Sequence, residues 1–193
     1  MNFITLTYDS THFYLVSIVG GWLMVDTGWA GTLPKLLNAV RQKDIGIKEI
    51  RYLVVTHFHP DHCGLVEDLK DFGATLIVHQ RQVPFVAEAK RFFKPEQRFR
   101  PILPAGNLVV STAESRTLLA KEGIIGELVP TPGHSADSVS LIIDGCCAFT
   151  GDLPPAGITS PQAVPVVEES WRRIGGHKVK RVYPAHGTAH DHA

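Results

Sequence analysis

The sequence has no segment with the composition of a leader peptide or of a membrane span. Its first residues, MNFITLTYDSTHFYLV, lack a basic stretch followed by an unbroken apolar run and a small-residue cleavage site. No run approaches the roughly 18 apolar residues that cross a bilayer. A surplus of charge is also lacking, because 19 Lys and Arg balance 19 Asp and Glu, which disfavours nonspecific binding to nucleic acid or anionic membranes. We therefore expect a cytoplasmic protein with no nucleic-acid or membrane partner.

Cysteine is scarce, which bears on the compartment. Two of the three cysteines, Cys146 and Cys147, are adjacent and have poor geometry for bridging to each other. No disulfide framework is indicated, in agreement with a reducing compartment. The chain has 193 residues and no low-complexity linker, so we expect one domain over residues 1–193. A homodimer is the default expectation for its assembly.

Short apolar runs separated by polar or Gly-containing turns predict a β-rich chain with flanking helices. The predicted strands are 3–8, 13–19, 22–25, 52–56, 75–79, 127–130, 138–143, 146–150 and 179–183. The predicted helices are approximately 32–45, 63–72, 111–122 and 162–174. Ser111 and Glu114 have capping-box spacing at the start of the third helix. Runs such as YLVV and SLII have no polar face, so we expect helices to cover the sheets.

Histidine is plentiful, with ten in the chain, and four ligand-type side chains fall within six residues. In LVVTHFHPDHCG, His57 and His59 are two apart at the end of a predicted strand, so they project to one side and one metal ion can bridge them. Asp61 and His62 follow at a strand-to-helix junction, where sheet-based sites commonly form. A lone His is usually an ordinary polar or core residue, but four such side chains at this spacing indicate a metal site.

Three further candidates have the same local context. His134 in VPTPGHS, Asp152 in AFTGDL and His186 in VYPAHG each follow an apolar run. Each also lies beside a Gly, which lets the backbone approach closely. Their shared context predicts that they join the first four residues in one site.

The segments THFHPDH, TPGH, TGD and PAHG, in that order, resemble the metallo-β-lactamase superfamily over nearly the whole chain, with glyoxalase II-like and lactonase-like hydrolases as the nearest kinds. The resemblance implies an α+β fold, a four-layer αβ/βα sandwich in which two mixed β-sheets are flanked by helices. It also implies a ligand for every position of two metal sites. The first set is His57, His59 and His134, the second is Asp61, His62 and His186, and Asp152 bridges both.

The resemblance further implies a dinuclear metal-dependent hydrolase. Imidazoles and carboxylates suit Zn²⁺, and iron or manganese is compatible with them. Two cations ~3.5–4 Å apart need a bridging anion, which Asp152 and a shared hydroxide supply, and that hydroxide is the nucleophile for a substrate carbonyl. By analogy with the family, Asp61 is expected to act catalytically as well, by accepting or relaying a proton.

Several residues near the motifs have supporting interpretations. Asp26 in LMVDTG is predicted to orient a ligand His by accepting its N–H. Asp137 and Ser138 are interpreted as turn-capping residues after His134, with anchoring of that loop as the alternative. Cys63 is interpreted as a packing residue, since the ligand set is complete without it.

The remaining histidines match no motif. His12, His79 and His177 are interpreted as structural or surface residues, and His190 and His192 as part of a short polar tail. Residues 81–101 interleave four Phe with basic residues, which favours a lid or a dimer contact about as well as plain packing on the sheet. A lid of this composition would favour a substrate with an acidic or acyl portion.

The motifs leave the substrate open. Secreted β-lactamases have Cys or Ser where this chain has Asp152, superfamily nucleases usually carry a large extra domain and basic surfaces, and a glyoxalase II-like helical domain would have no room after His186. We predict hydrolysis of a small-molecule carboxylic ester, lactone or thioester. The alternatives are a mononuclear-iron persulfide dioxygenase, a phosphodiesterase or nuclease, and a non-enzymatic metal-binding module.

Overall fold

The computed structural model describes residues 2–158 and 160–192, within which the chain forms a six-stranded and a five-stranded β-sheet. The strands of the first sheet are β1 (Phe3–Tyr8), β2 (Thr11–Ile18), β3 (Gly21–Val25), β4 (Ile50–Val54), β5 (Thr75–His79) and β6 (Leu108–Val110). The strands of the second sheet are β7 (Gly126–Pro130), β8 (Val139–Ile143), β9 (Cys147–Gly151), β10 (Arg181–Pro184) and β11 (His190–Asp191). The α-helices are α1 (Leu33–Arg41), α2 (Pro60–Cys63), α3 (Val66–Asp71), α4 (Val83–Val86), α5 (Thr112–Lys121) and α6 (Val164–Gly175).

Both sheets mix antiparallel and parallel pairs. The first sheet runs in chain order, with β1, β2 and β3 antiparallel and β3 to β6 parallel. The second has the order β11-β10-β9-β8-β7, in which β9 and β10 are parallel and the other pairs antiparallel. Parallel neighbours end at the same edge of a sheet, so the loops that follow them gather there.

The apolar residues form three layers of core. Fully buried side chains such as Val16 and Phe149 fill the space between the two sheets. The outer face of the first sheet packs on α1 and α3 through residues that include Leu36 and Leu69, and the outer face of the second packs on α6 through Ile174. The structure therefore confirms the predicted sandwich of two mixed sheets flanked by helices.

The predicted strands are all present, with ends within two residues of the predicted ones. The prediction missed β6 and β11, which have three and two residues and are too short to show an alternating pattern. The capping box of α5 is confirmed, because Ser111 N donates to Glu114 Oε2 at 2.8 Å and Glu114 N donates to Ser111 Oγ at 3.3 Å.

The prediction of one continuous helix over residues 63–72 is wrong. Cys63 is the last residue of α2, and α3 begins only at Val66. Gly64 N donates to Gly28 O at 2.8 Å and Leu65 N donates to Thr27 Oγ1 at 3.2 Å. These two N–H groups therefore bond to the turn after β3 and not to the preceding helical turn. The break presses the start of α3 against that turn.

The three cysteines, Cys63, Cys146 and Cys147, are all free, as predicted. Cys63 is fully buried in the core, which confirms its interpretation as a packing residue. Within residues 2–158 and 160–192, no helix combines the length and the apolarity that crossing a bilayer requires.

We expect Gly64→Ala to destabilise the fold. A Cβ at this position would lie 2.1 Å from Ala30 N and 2.5 Å from Gly28 O. Since these backbone atoms cannot rotate away, the free energy of unfolding should fall by about 1–3 kcal/mol, as measured by urea denaturation. Gly175→Ala is the control, because its Cβ would meet only the His192 imidazole, at 3.4 Å, and helices favour Ala. Equal stability of Gly64→Ala and the wild type would contradict this close packing.

Candidate metal centre

Four loops that follow the C-terminal ends of β4, β7, β9 and β10 meet at one edge of the sandwich. The short helix α2 begins in the first of these loops, with Pro60 in its first turn. Together the loops and α2 bring all of the predicted ligand residues into one cluster. These residues are His57, His59, Asp61, His62, His134, Asp152 and His186.

The first donor set consists of His57, His59 and His134. His59 Nδ1 lies 3.1 Å from His57 Nε2 and 3.0 Å from His134 Nε2. The His57 side chain is buried, whereas that of His134 is 32% exposed. This set is therefore anchored in the core and open to solvent on one side.

The second donor set consists of Asp61, His62 and His186. Asp61 Oδ2 lies 3.1 Å from His186 Nε2 and 3.5 Å from His62 Nε2. The His62 side chain is fully buried and that of His186 is 41% exposed. Like the first set, the second set therefore combines one buried imidazole with one that solvent can reach.

Asp152 lies between the two sets. Its Oδ2 is 3.6 Å from His134 Nε2 in the first set, and its Oδ1 is 3.5 Å from His186 Nε2 in the second. The preceding Gly151 has a φ of 57°, and a Cβ there would lie 2.4 Å from Thr56 Oγ1. Glycine therefore lets β9 bring the Asp152 carboxylate this close to the loop after β4.

Three properties of the cluster suit divalent metal ions. They are the chemical type of the donor atoms, the distances between them, and the lack of hydrogen-bond partners at two of them. Imidazole nitrogens and carboxylate oxygens are donors that Zn²⁺ accepts, and donors that share one ion at about 2.0–2.2 Å lie roughly 3–4 Å apart. His62 Nε2 and Asp152 Oδ1 are buried and have no hydrogen-bond partner in the part of the chain that the structure describes. Such unpaired buried atoms cost free energy unless something binds them. The cluster could therefore hold divalent metal ions.

The pKa values of the two buried imidazoles of the cluster, those of His57 and His62, are shifted in opposite directions. Burial lowers the pKa of His57 well below its ordinary value, and the neighbouring imidazoles lower it further. Burial also acts to lower the pKa of His62, but the Asp26 and Asp152 carboxylates outweigh it and raise that pKa to about 10. Although burial raises the pKa of Asp152, the imidazoles around it, His62 first, bring it below its usual value. A metal ion at His62 Nε2 must therefore displace a proton.

Asp26 orients the His62 ring. Its carboxylate, which is buried, accepts hydrogen bonds from His62 Nδ1 at 2.9 Å, from Thr56 N at 2.7 Å and from Thr56 Oγ1 at 2.9 Å. Since Nδ1 is engaged in this way, Nε2 faces the cluster. A metal-bound His usually has such a partner on its other nitrogen, and this role of Asp26 in metal binding stays a prediction.

Asp137 anchors the His134 loop, which is the alternative to turn capping. It is buried and accepts a hydrogen bond from Phe58 N at 2.7 Å. Phe58 lies between His57 and His59, so the Asp137 carboxylate ties the His134 loop to the loop after β4. A short-range pattern cannot reveal this contact, because it joins residues 79 positions apart.

The turn between β1 and β2 holds the loop of His186. His186 Nδ1 lies 2.9 Å from Ser10 O, the backbone N of His12 donates to Ala185 O at 2.8 Å, and His12 Nε2 lies 2.8 Å from Gly187 O. Since carbonyl oxygens only accept, both imidazoles donate here. His12, interpreted above as structural or surface, therefore contacts the residues on both sides of His186.

Residues 81–101 divide between core packing and the edge of the cluster. Phe93 and Phe99 stack with ring centroids 3.7 Å apart and pack on the core beneath the first sheet. Phe92, in contrast, is 55% exposed, and its ring centroid lies 5.1 Å from that of His59. The packing interpretation is thus confirmed for Phe93 and Phe99, while Phe92 borders the cluster.

The prediction of a short polar tail at His190 and His192 did not include the pairing of this segment with the second sheet. His190 lies in β11, which pairs with β10, and the two rings lie 6.3 and 5.7 Å from the Trp171 ring. His79 and His177 are structural, as predicted, because they bond to side chains of α5 and of the turn between β8 and β9.

The family of the chain follows from its match to a family model as well as from this geometry. Residues 6–186 match the model of the metallo-beta-lactamase superfamily. The chain therefore belongs to the metallo-beta-lactamase superfamily, whose members are generally hydrolases.

Named relatives are similar over almost the whole of this chain. Beta-lactamase-like protein 2 homolog of Caenorhabditis elegans is 25% identical over 188 residues, which cover 96% of this chain and 58% of that protein. Thioesterase pkgB of Emericella nidulans is 26% identical over 192 residues, which cover 96% of this chain and 48% of that protein. The chain thus spans about half the length of these relatives.

A solved structure shows the same fold. The crystal structure of a metallo-beta-lactamase family protein from Thermus thermophilus superposes with a TM-score of 0.74 and covers 97% of this chain and 74% of that one. The two sequences are 18% identical, so the likeness establishes the fold alone.

We expect His12→Ala to weaken metal uptake by the second donor set, because the loop of His186 loses the hydrogen bond that His12 Nε2, in β2, donates to Gly187 O. Orienting contacts of this kind are typically worth about 10–100-fold in metal affinity. Titration with Co²⁺ or Zn²⁺, followed by elemental analysis, measures the affinity of each step. His177→Ala, which removes an imidazole bonded to Asp144, is the control and should leave both steps unchanged. Unaltered uptake by His12→Ala would exclude this positioning role.

Proposed function

We propose that this protein is a dinuclear metal-dependent hydrolase that cleaves a small carboxylic ester, lactone or thioester. The observation that carries the proposal is the pair of donor sets with Asp152 between them. A structural zinc site uses four protein ligands and leaves no position open, whereas catalytic sites keep a position for water or substrate. Two adjacent sets that each reach solvent therefore support an enzyme over a metal-binding module.

The same geometry supports two ions over one. A single iron ion held by the first set would leave His62 Nε2, in the second set, buried without a partner. We propose Zn²⁺ at both positions, with iron or manganese as the alternatives, because all the donors are imidazoles and carboxylates. When bound, such ions lower the pKa of coordinated water to about 7 and polarise a carbonyl oxygen.

Asp61 is proposed to move the proton. Its side chain is 18% exposed, so substrate and water can reach it, while its Oδ2 lies within 3.5 Å of both imidazoles of the second set. A carboxylate in this position can accept a proton from the attacking water and return it to the leaving oxygen or sulfur. The short distances to His62 Nε2 and His186 Nε2 place the Asp61 carboxylate within the second donor set.

The relatives support the substrate class. The Emericella nidulans relative is named as a thioesterase, and ester, lactone and thioester hydrolysis all begin with attack on a carbonyl carbon. The balance of 19 basic and 19 acidic residues favours a small-molecule substrate over a nucleic acid.

Elemental analysis combined with a substrate panel tests the proposal. We expect about two transition-metal ions per chain, and hydrolysis of an ester, lactone or thioester that stops on chelation and returns with added metal. One iron per chain with oxygen uptake on a persulfide would replace the hydrolase by a dioxygenase, and cleavage of phosphodiesters alone would replace it by a nuclease-type enzyme. A folded protein that takes up no transition metal would reject any metal-dependent activity.

We expect Asp61→Asn to retain much of the bound metal, because the side-chain oxygen that faces His62 and His186 remains. The turnover number should fall by about 10²–10⁴-fold, the usual contribution of a proton-transfer group. Steady-state kinetics beside elemental analysis separates the two effects. Asp44→Asn is the matched control, since Asp44 is exposed and its positive φ of 55° suits Asn. Unchanged turnover at full metal content would refute the proton-transfer role.

A further inference from the structure

A recess of about 480 Å³ begins at the metal cluster and extends along the end of the second sheet. Its inner end is formed by His134, Asp152 and His186. Its outer wall is apolar and consists of Leu153, Pro154, Pro155, Trp171 and Pro184. We call this space the Trp171 recess. Its volume lies within the range of about 300–1,000 Å³ that is usual for ligand pockets.

The Trp171 side chain is fixed in this wall. Its Nε1 donates to Pro154 O at 2.8 Å, so the polar edge of the indole is satisfied within the protein. On another side the ring lies near the His190 and His192 rings of the β11 region. With its N–H engaged, the indole offers the recess an apolar surface that needs no reordering when a ligand binds.

The charges around the recess favour a neutral occupant. Besides the cluster residues, the lining includes the neutral hydroxyls of Thr150 and Thr188 and the His190 imidazole, and no Lys or Arg of the described part of the chain lines it. The Thr150 hydroxyl is buried and has no hydrogen-bond partner among residues 2–158 and 160–192. A carboxylate or phosphate on this part of a substrate would therefore find no cation to compensate its lost hydration.

A second and smaller recess, of about 210 Å³, borders the cluster at His59. It is lined by the rings of Phe58, Phe85 and Phe92 and by the carboxylates of Glu88 and Asp137. It can take only a small group, and its carboxylates disfavour an anion. The larger apolar part of a substrate is therefore directed to the Trp171 recess.

We infer that the Trp171 recess binds a neutral, apolar group beside the scissile carbonyl, so that the substrate is an uncharged ester, lactone or thioester with one bulky aliphatic or aromatic part. This inference rests on the proposed function for its chemistry. The recess itself, however, is lined by side chains of the protein and needs no metal ion to form. Binding in it can therefore be measured without turnover. Trp171 is the residue that determines the specificity.

The first experiment measures binding to the metal-free protein by NMR titration at pH 8. The probes are 4-phenylbutan-2-one, which is neutral, and 3-phenylpropanoate, which has a similar size and a negative charge. The neutral ketone should shift resonances of the recess and bind more tightly than the carboxylate. Trp171→Ala should weaken ketone binding by about tenfold. Val166→Ala removes an exposed apolar side chain from the same helix, outside the recess, and should change nothing.

The second experiment measures kcat/KM of the metal-loaded enzyme with esters that carry acetyl, 3-phenylpropanoyl or succinyl groups, and with a matched series in which the alcohol varies. The bulky neutral group should be preferred in one of the two series, and Trp171→Ala should abolish that preference, because it should lower kcat/KM more for the bulky ester than for the acetyl ester. Pro155→Lys, at the exposed rim, should shift the preference towards succinyl by about tenfold.

The outcomes separate the two proposals. Tighter binding of the carboxylate, or ketone binding that Trp171→Ala leaves intact, would overturn the inference whatever the enzyme hydrolyses. Selective ketone binding without hydrolysis of any ester, lactone or thioester would support the recess and reject the proposed function. If Trp171→Ala fails to fold, Trp171→Phe and Pro155→Lys keep the same readouts.

Discussion

The arrangement of the cluster depends on the hydrogen bonds that the buried carboxylate of Asp26 accepts. A carboxylate this deep loses its hydration, and its cost is offset only by the donors around it. Those donors are Thr56, in the loop after β4, and His62, in α2, so the contact links the end of β3 to that loop and to α2. Asp26 has a positive φ of 61°, which is uncommon outside Gly, Asn and Asp. The backbone there is held in place by the same contact that directs His62 Nε2 into the cluster.

Much of the fold, and the clustering of the candidate ligands, could be predicted from the sequence, because many signals are local and because four motifs resemble the metallo-β-lactamase superfamily. Strands such as β5 are indicated by apolar runs of the right length, and His57 to His62 lie within six residues of one another. The division of the helix at Gly64 was not predictable in this way. It depends on hydrogen bonds to Gly28 and Thr27, which are distant in sequence.

The residues that support the ligands were harder to find for the same reason. Asp137 and His12 have ordinary local surroundings, and their contacts span 79 and 175 positions. The Trp171 recess is a further case, because α6, the loop after β9 and the β10–β11 region each supply part of its wall. Motifs therefore identify what can bind metal, while the shape that selects a substrate emerges only when distant segments pack together.

The contact between the β1–β2 turn and the loop of His186 has a consequence for the order in which the site can form during synthesis. The first donor set draws only on residues 57–134, so its imidazoles are available well before the last strands leave the ribosome. The second set needs His186, which is held by carbonyls and side chains from residues 10–12. Closing a loop of about 175 residues is slow compared with local folding. The three histidines of the first set therefore come from segments made before residue 186, whereas the second donor set is complete only once His186 has packed against residues 10–12.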